Sequence, residues 1–374
     1  MKIQGRKIGK DKDKEQVGCN NNEHNKIDVE KTNFNKICWV RGDLECAPKY
    51  FPNPDYKKFK CLTPTEMFKL FFTEDVVCLL VTESHKYAEF KNIHNYFINS
   101  SEMKCFLSSL ILSGYNFLPD KDFYWDTRDD MGNTVVKKCT DNAKIDKSDK
   151  FYKLRLLIEK LKANFIEHSV PEEGMNYDES MNLERKHQKW YLVIFITYQS
   201  ADSGSKTDYQ NVFGKAAAPF VTMLDELSDD KRNLQYSLYI DNLFTSFHLL
   251  NYFRDFGYVA TGTIRDNRVP KNCPLLSTTA MIKKSRGEYH YVLNTTNGIL
   301  LVRWVDNNIV SLASTKYGIQ PLGEVRRYSQ TQKKNIQVSR PLFVSKYNWF
   351  MGGTDLMDEK ISRYWIGIRG KECW

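Results

Sequence analysis

Asp241, Asp355 and Asp358 are the residues whose type and spacing could do chemistry in this chain. The last two sit in Gly352-Gly353-Thr354-Asp355-Leu356-Met357-Asp358, three residues apart. On a helix that spacing puts both carboxylates on one face, roughly 5–6 Å apart at Cβ. The two glycines let the backbone turn, and the run DLMDEKISRYW after them is helix-like. Carboxylates in a first helical turn suit a divalent cation, which takes hard oxygen ligands. They suit a polar cap as well, because Asp is a favoured N-cap and an acid three residues later completes a capping box. Spacing alone favours the cap.

A second segment reverses that preference. Residues 236–246 read YSLYIDNLFTS, and their alternating aromatic and β-branched residues up to Ile240 predict a buried strand. Asp241 falls where that strand ends. Thr245 or Ser246 can cap the helix that follows, FHLLNYFRDFG, which Gly257 stops. Open α/β sheets place their chemistry at the C-terminal ends of central strands. An Asx-turn leaving the strand is the alternative use of the same residue.

Taken together, these segments resemble the piggyBac family of transposases and the transposable element-derived proteins descended from them. YIDNLFTS (239–246), GYVATGTIRDNR (257–268) and KYNWFMGGTDLMDEKISRYW (346–365) match that family's pattern in the same order. Weaker matches extend toward the N-terminus in residues 68–90, 114–133 and YDESM (177–181). The resemblance covers roughly residues 60 to 374.

The resemblance implies an α/β fold: an RNase H-like catalytic core with a β-rich insertion, preceded by an α-helical N-terminal domain. It also implies cutting and joining of phosphodiesters by two divalent metals, Mg²⁺ in a competent enzyme, about 3.5–4 Å apart. Asp241 matches the family's second catalytic Asp and Asp355 its third, both as metal ligands, and Asp358 matches an additional acid near the site. The first Asp is expected at the end of the strand KWYLVIFITYQS (189–200). Counting forward from Lys189-Trp190 puts Gln199 at that place, and counting back from Phe213-Gly214-Lys215 puts Ser200 there. Neither is an anionic ligand. Asp202 lies three residues beyond Gln199 in a family-like Ala-Asp-Ser, and using it would require a slip that turns the strand's side chains over. Asp178 and Glu179 are nearby acids whose plainer reading is a turn before a strand.

Other departures surround that gap. NLERKHQ (182–188) stands where the family has a longer basic, glycine-containing hairpin, and the polar stretch 137–150 stands where it has a further helical block. No Cys- and His-rich zinc module of the family's kind is expected within residues 1–374, which run to GKECW.

Net charge is +9, which favours a polyanionic partner. Arg265, Arg268, Lys271, Arg363 and Arg369 are the expected DNA contacts, supported by further Lys and Arg in the insertion; such residues neutralise phosphates without reading sequence. The nine cysteines include no C-x-x-C pair, which argues against a disulfide framework and for a reducing, cytosolic or nuclear setting. The expected DNA binding implies the nucleus as the expected location. The N-terminus lacks the apolar core of a signal peptide, and the run 191–198 is too short to span a bilayer.

The expected organisation is a flexible basic arm (1–60), a helical domain of DNA-binding or dimerisation type (61–170), the first part of the core (171–263), a β-rich basic insertion (264–340) and the C-terminal helix (341–374). Asn297-Gly298 marks a hairpin inside the insertion. Residues 314–340 read as a polar, basic loop, and 354–366 as the last helix. DNA is the expected partner, with a homodimer as a possible assembly, and no membrane or small-molecule substrate. The expected function is that of a piggyBac transposable element-derived DNA-binding protein with impaired cleavage. The alternatives are an active transposase acting at TTAA sites through Asp202, Asp241 and Asp355, and a decayed chain that folds poorly.

Overall fold

Helical spacing from Thr63 gives the helix it calls for in the computed structural model, which describes residues 38–45, 50–94, 96–115, 154–178, 180–185, 189–195, 207–364 and 366. Helix α1 (Pro64–Phe71) opens on a full capping box: the Thr63 hydroxyl accepts from Glu66 N at 3.3 Å, and Glu66 accepts from Thr63 N at 2.8 Å. Helices α2 (Glu74–Phe90), α3 (Ser100–Tyr115) and α4 (Arg155–His168) follow. Phe71 packs on Phe165 of α4 with ring centroids 4.7 Å apart, and Asn164 donates to the Phe71 carbonyl at 2.8 Å. Carbonyls at a helix C-terminus lack intrahelical donors. Here the Lys231 ammonium supplies them, donating to Ser169 O at 2.8 Å and Glu167 O at 3.2 Å.

Among the described residues the main sheet has nine strands. They are β1 (Trp39–Val40), β2 (Gly174–Asp178), β3 (Ser180–Arg185), β4 (Lys189–Phe195), β5 (Ser237–Ile240), β6 (Val259–Thr263), β7 (Tyr289–Asn294), β8 (Ile299–Val305) and β9 (Ile309–Ser314), in the order β1-β7-β8-β9-β6-β5-β2-β3-β4. Strands β2, β5 and β6 run parallel, and every other pairing in the sheet is antiparallel. Between β4 and β5 lie α5 (Thr207–Phe213), α6 (Ala218–Asp225) and α7 (Asp229–Arg232). Helix α8 (Phe247–Asp255) joins β5 to β6, and α9 (Thr278–Met281) precedes β7. The chain ends in a separate hairpin, β10 (Gly323–Ser329) with β11 (Lys334–Arg340), and in α10 (Leu342–Arg363).

The parallel strands are covered on both faces, as parallel strands require. On one side Tyr177 stacks on Phe220 of α6 at 4.2 Å, and Phe220 meets Phe253 of α8 at 5.1 Å. On the other, α10 packs across β2 to β6, with Phe350 stacked on Tyr239 at 4.0 Å and the Phe350 carbonyl accepting from Asn176 at 3.3 Å. No helix among the described residues is long and apolar enough to cross a membrane.

Three expectations need correction. The last helix begins at Leu342, not at Thr354, so Thr354, Asp355 and Asp358 lie in its second half and the capping-box reading fails. Buried Phe343 and Val344, with Tyr347 and Phe350, seat its first half. That packing outweighs about 1 kcal/mol per interior glycine at Gly352 and Gly353. Residues 314–340 are not a loop throughout, because β10 and β11 pair over their full length. The described part of the arm is also docked. Trp39 and Val40 pair with β7, and the Asp43 carboxylate accepts from Ile319 N at 2.8 Å.

The insertion has its own core: Leu300, Val302, Trp304, Leu312, Ile319 and Val338 pack with Phe343 and Val344 of α10. Asn294 to Ile299 closes the β7–β8 hairpin through a four-residue loop that includes Asn297-Gly298, with Gly298 at φ +58°, a conformation glycine adopts without strain. At its edge Asp306 accepts from Arg286 Nε at 2.7 Å and from Arg327 Nε at 2.9 Å. Burial pushes the Asp306 carboxyl up, but the hydrogen bonds and charges of Arg327 and Arg286 outweigh it and hold the group below its usual 3.8. A depressed carboxylate contributes stability above its unfolded value, which is lost as pH falls through the folded one. Asp306→Asn is therefore expected to cost about 2 kcal/mol near neutrality. The gap between variant and parent should close below about pH 4, as checked by urea unfolding across pH.

Candidate active site

Asp241 is set by the turn that ends β5. The four residues of β5 are all buried, and the chain reverses directly after them. The Asp241 carbonyl accepts from Phe244 N and Thr245 N, each at 3.1 Å, and from the Thr245 hydroxyl at 2.9 Å. Ser246 then caps α8, its hydroxyl accepting from Leu249 N at 3.2 Å. The side chain of Asp241 is half-buried. Its Oδ2 accepts from Leu243 N at 3.4 Å, the Asx-turn contact at its long limit, and its Oδ1 accepts from the Thr263 hydroxyl at 3.2 Å. A contact at 3.4 Å is weak, so the carboxylate keeps lone pairs for another partner.

Thr263 connects this turn to the last helix, since its hydroxyl also lies 3.0 Å from the Tyr347 hydroxyl of α10. Gly262 brings β6 close enough for that link. A Cβ there would stand 2.3 Å from the Thr245 hydroxyl oxygen and 2.8 Å from the Ile240 carbonyl oxygen. Two guanidiniums border the turn: Arg265 Nε donates to Asn242 Oδ1 at 2.9 Å, and Arg268 donates to Thr245 O at 2.9 Å and Asn242 O at 3.3 Å. Burial, with the neighbouring Arg265 charge, pushes Arg268 down from its usual value. An arginine remains a cation even so.

Of the expected site residues, the structure thus places Asp241, Arg265 and Arg268 around one turn. Arg268 spends its donors on backbone carbonyls and so holds the turn. Lys271 is exposed just beyond them. Arg363 pairs with Glu359 on α10. Asp355 and Asp358 lie on α10, but their side chains are outside what the structure describes. Gln199, Ser200, Asp202 and Arg369 lie outside the described residues altogether.

Sequence reasoning missed Thr263 and Tyr347, which no motif marks as chemical. It also passed over a register. Strand β2 pairs in parallel with β5 through Tyr177↔Ile240, so Asp178, which ends β2, occupies the level of Asp241 on the adjoining strand. Asp241 offers carboxylate oxygens, the donor type that Mg²⁺ takes. No group of three or more His, Cys, Asp or Glu suited to a metal is found among the described residues.

A family model described as Transposase IS4 matches residues 63–194 and 187–374. The chain belongs to the transposase IS4 family, among the piggyBac-related proteins. It is 34% identical over 379 residues to human PiggyBac transposable element-derived protein 3, covering 90% of this chain and 62% of that protein. Human PiggyBac transposable element-derived protein 2 is 31% identical over 373 residues, with the same coverage of 90% and 62%. The chain therefore spans about three-fifths of the length of these curated relatives. A cryo-EM structure of a piggyBac transposase synaptic complex with hairpin DNA shares the fold at TM-score 0.57 and 18% identity, covering 83% of this chain and 70% of that one.

The close approach at Gly262 gives a direct check on the site's architecture. Gly262→Ala forces a methyl group against Thr245 and the Ile240 carbonyl and is expected to cost on the order of 2 kcal/mol, as overpacking does. Ala260→Gly in the same strand serves as the control for strand propensity. An unchanged denaturation midpoint for Gly262→Ala would contradict the packing described.

Proposed function

We propose that this chain is a piggyBac transposable element-derived DNA-binding protein on an RNase H-like core, acting in the nucleus with phosphodiester cleavage impaired. The observation that carries this reading is Asp241 at the C-terminal end of a central parallel strand, with Arg265 and Arg268 beside it. The strand order β4-β3-β2-β5-β6, with β3 antiparallel to its neighbours and β2, β5 and β6 parallel, supports the RNase H-like assignment. The basic net charge and the DNA-bound state of the piggyBac structural relative support DNA as the partner.

Asp241 and Asp355 are the residues that would hold Mg²⁺, with Asp358 as an additional acid near them. When bound, the metal would neutralise charge on a phosphoryl group and lower the pKa of an attacking hydroxyl or water. Arg265, exposed at the mouth of the turn, would orient a phosphate. Thr263, donating to Asp241 Oδ1, fixes the carboxylate's rotamer. Impairment follows from Gln199 or Ser200 standing where the first acid is expected: one anionic ligand fewer weakens Mg²⁺ binding, and Mg²⁺ tolerates little distortion. A second reading rests on the register of Asp178 beside Asp241, which would let β2 supply that acid instead.

Binding of the full chain to duplex DNA is expected to weaken steeply as salt rises, with little sequence preference, as read by fluorescence anisotropy. Affinity indifferent to salt would reject DNA binding by this surface.

Cleavage separates the remaining readings. The purified chain is expected not to nick a TTAA-flanked transposon end in Mg²⁺, and Gln199→Asp is expected to restore weak nicking that Asp241→Asn removes. Robust cleavage by the unmodified chain would overturn impairment. Its loss in Asp178→Asn would assign the first acid to β2, and its loss in Asp202→Ala would assign it to Asp202.

A further inference from the structure

We propose that the β10–β11 hairpin is a two-stranded ribbon that enters the major groove of duplex DNA, an inference that rests on the DNA-binding reading above. The hairpin, residues 323–340, reads GEVRRYSQTQKKNIQVSR, with five cations and one acid, Glu324, which lies on the outer face beside Arg326. Pairing sorts these residues by face. Val325, Arg327, Ile336 and Val338 form one set, and Arg326, Tyr328, Asn335 and Gln337 the other, with Arg326↔Gln337 and Tyr328↔Asn335 directly paired. The first set faces the protein, where Val338 is buried and Val325 and Ile336 pack against the insertion core. The second set is exposed, Tyr328 to 57%.

The two faces do different things. On the inner face Arg327 binds Asp306, and the Trp304 indole donates to Ser339 O at 2.8 Å. Arg286, held by the same Asp306, donates to Tyr328 O at 3.1 Å. The ribbon is therefore fixed to β8 rather than waving from it. On the outer face and tip, Arg326, Lys333 and Lys334 are exposed and form no ion pair among the described residues. Lys333 holds φ +48°, a conformation that glycine or asparagine takes more readily, so the tip keeps a cation at some conformational cost.

Size and chemistry both select the occupant. A seven-residue strand pair is roughly 24 Å long and about 5 Å wide at the backbone. The major groove of B-DNA, about 12 Å wide and 8.5 Å deep, admits such a ribbon. Arg pairs with guanine O6 and N7, and Asn or Gln with adenine N6 and N7, so Arg326, Asn335 and Gln337 are suited to base edges while Lys333 and Lys334 meet phosphates. An RNA duplex fits poorly, because its major groove is deep and narrow.

The test reads guanine N7, which lies in the major groove. The full chain in excess over a short mixed-sequence DNA duplex is expected to lower dimethyl sulfate reactivity at guanine N7 throughout the duplex. Arg326→Gln combined with Gln337→Ala should remove that protection while leaving affinity within about tenfold. Arg326→Gln, Lys333→Gln and Lys334→Gln together should lower the slope of log K against log salt by about 2–3. All these side chains are exposed, so an unchanged thermal midpoint verifies folding. Salt-sensitive binding without N7 protection, or tighter binding to duplex RNA, would overturn the ribbon assignment and leave the wider reading standing. If the native chain binds DNA without salt dependence, that wider reading fails instead.

Discussion

Everything proposed for this protein depends on α10 lying flat across the sheet, and an aromatic stack holds it there. The Phe350 ring sits 4.0 Å from Tyr239 with planes only 9° apart, while the helix backbone at Phe350 takes a hydrogen bond from Asn176 of β2. Stacked aromatic pairs contribute about 0.5–1.5 kcal/mol beyond the area they bury. The geometry constrains β2 in turn. At Gly174 a Cβ would stand 2.2 Å from the Phe350 ring, so the strand approaches only because that position has no side chain. One helix thus fixes both the strand that bears Asp241 and the strand beside it. Tyr347, one turn earlier, reaches the Thr263 hydroxyl that also binds Asp241. Asp355 and Asp358 follow on the same rigid rod, with Asp355 about 12 Å further along the axis at 1.5 Å per residue.

The insertion uses a different principle. Its strands extend the main sheet through the β6–β9 pairing, so its core is continuous with the layer beneath α10. Its outer hairpin is secured by one carboxylate. Asp306 gathers Arg286 and Arg327, and a charge so placed in a half-buried setting is costly unless both partners stay. This arrangement lets a strongly basic segment be rigid: the half-buried acid pairs with the two guanidiniums nearest the core and leaves the cations at the tip for a polyanion. A free basic loop would have the same charge but would lose more conformational entropy on binding.

What could be read from the sequence was local. The strand, turn and helix around Asp241 were legible because Tyr236–Ile240, Ser246 and Gly257 carry their signals within a few residues. Asn297-Gly298 marked its hairpin for the same reason. The start of α10 was not legible, since Gly352-Gly353 signals a break and only the sheet underneath shows why the helix continues. The β10–β11 hairpin was hidden because its outer face is uniformly polar and its inner face shares three apolar residues with a core assembled from elsewhere. The docking of Asp43 on the backbone at Ile319 spans 276 residues, beyond what any local pattern reports.

The acid expected from the first strand shows most sharply where sequence matching and topology diverge. Matching by motif directs attention to the end of KWYLVIFITYQS, because that is where the family pattern ends its strand. Pairing makes the strand next to β5 the preceding one, GMNYD, joined by four consecutive parallel partners, Gly174↔Ser237 to Tyr177↔Ile240. The KW strand, β4, is two places further out, beyond β3. In an open α/β sheet the reacting groups gather at the carboxyl ends of adjacent parallel strands. From β5, which carries Asp241 at its end, β4 is three strand positions away, roughly 14 Å across the sheet at about 4.8 Å per strand. The backbone position level with Asp241 on the neighbouring parallel strand is Asp178, the last residue of β2.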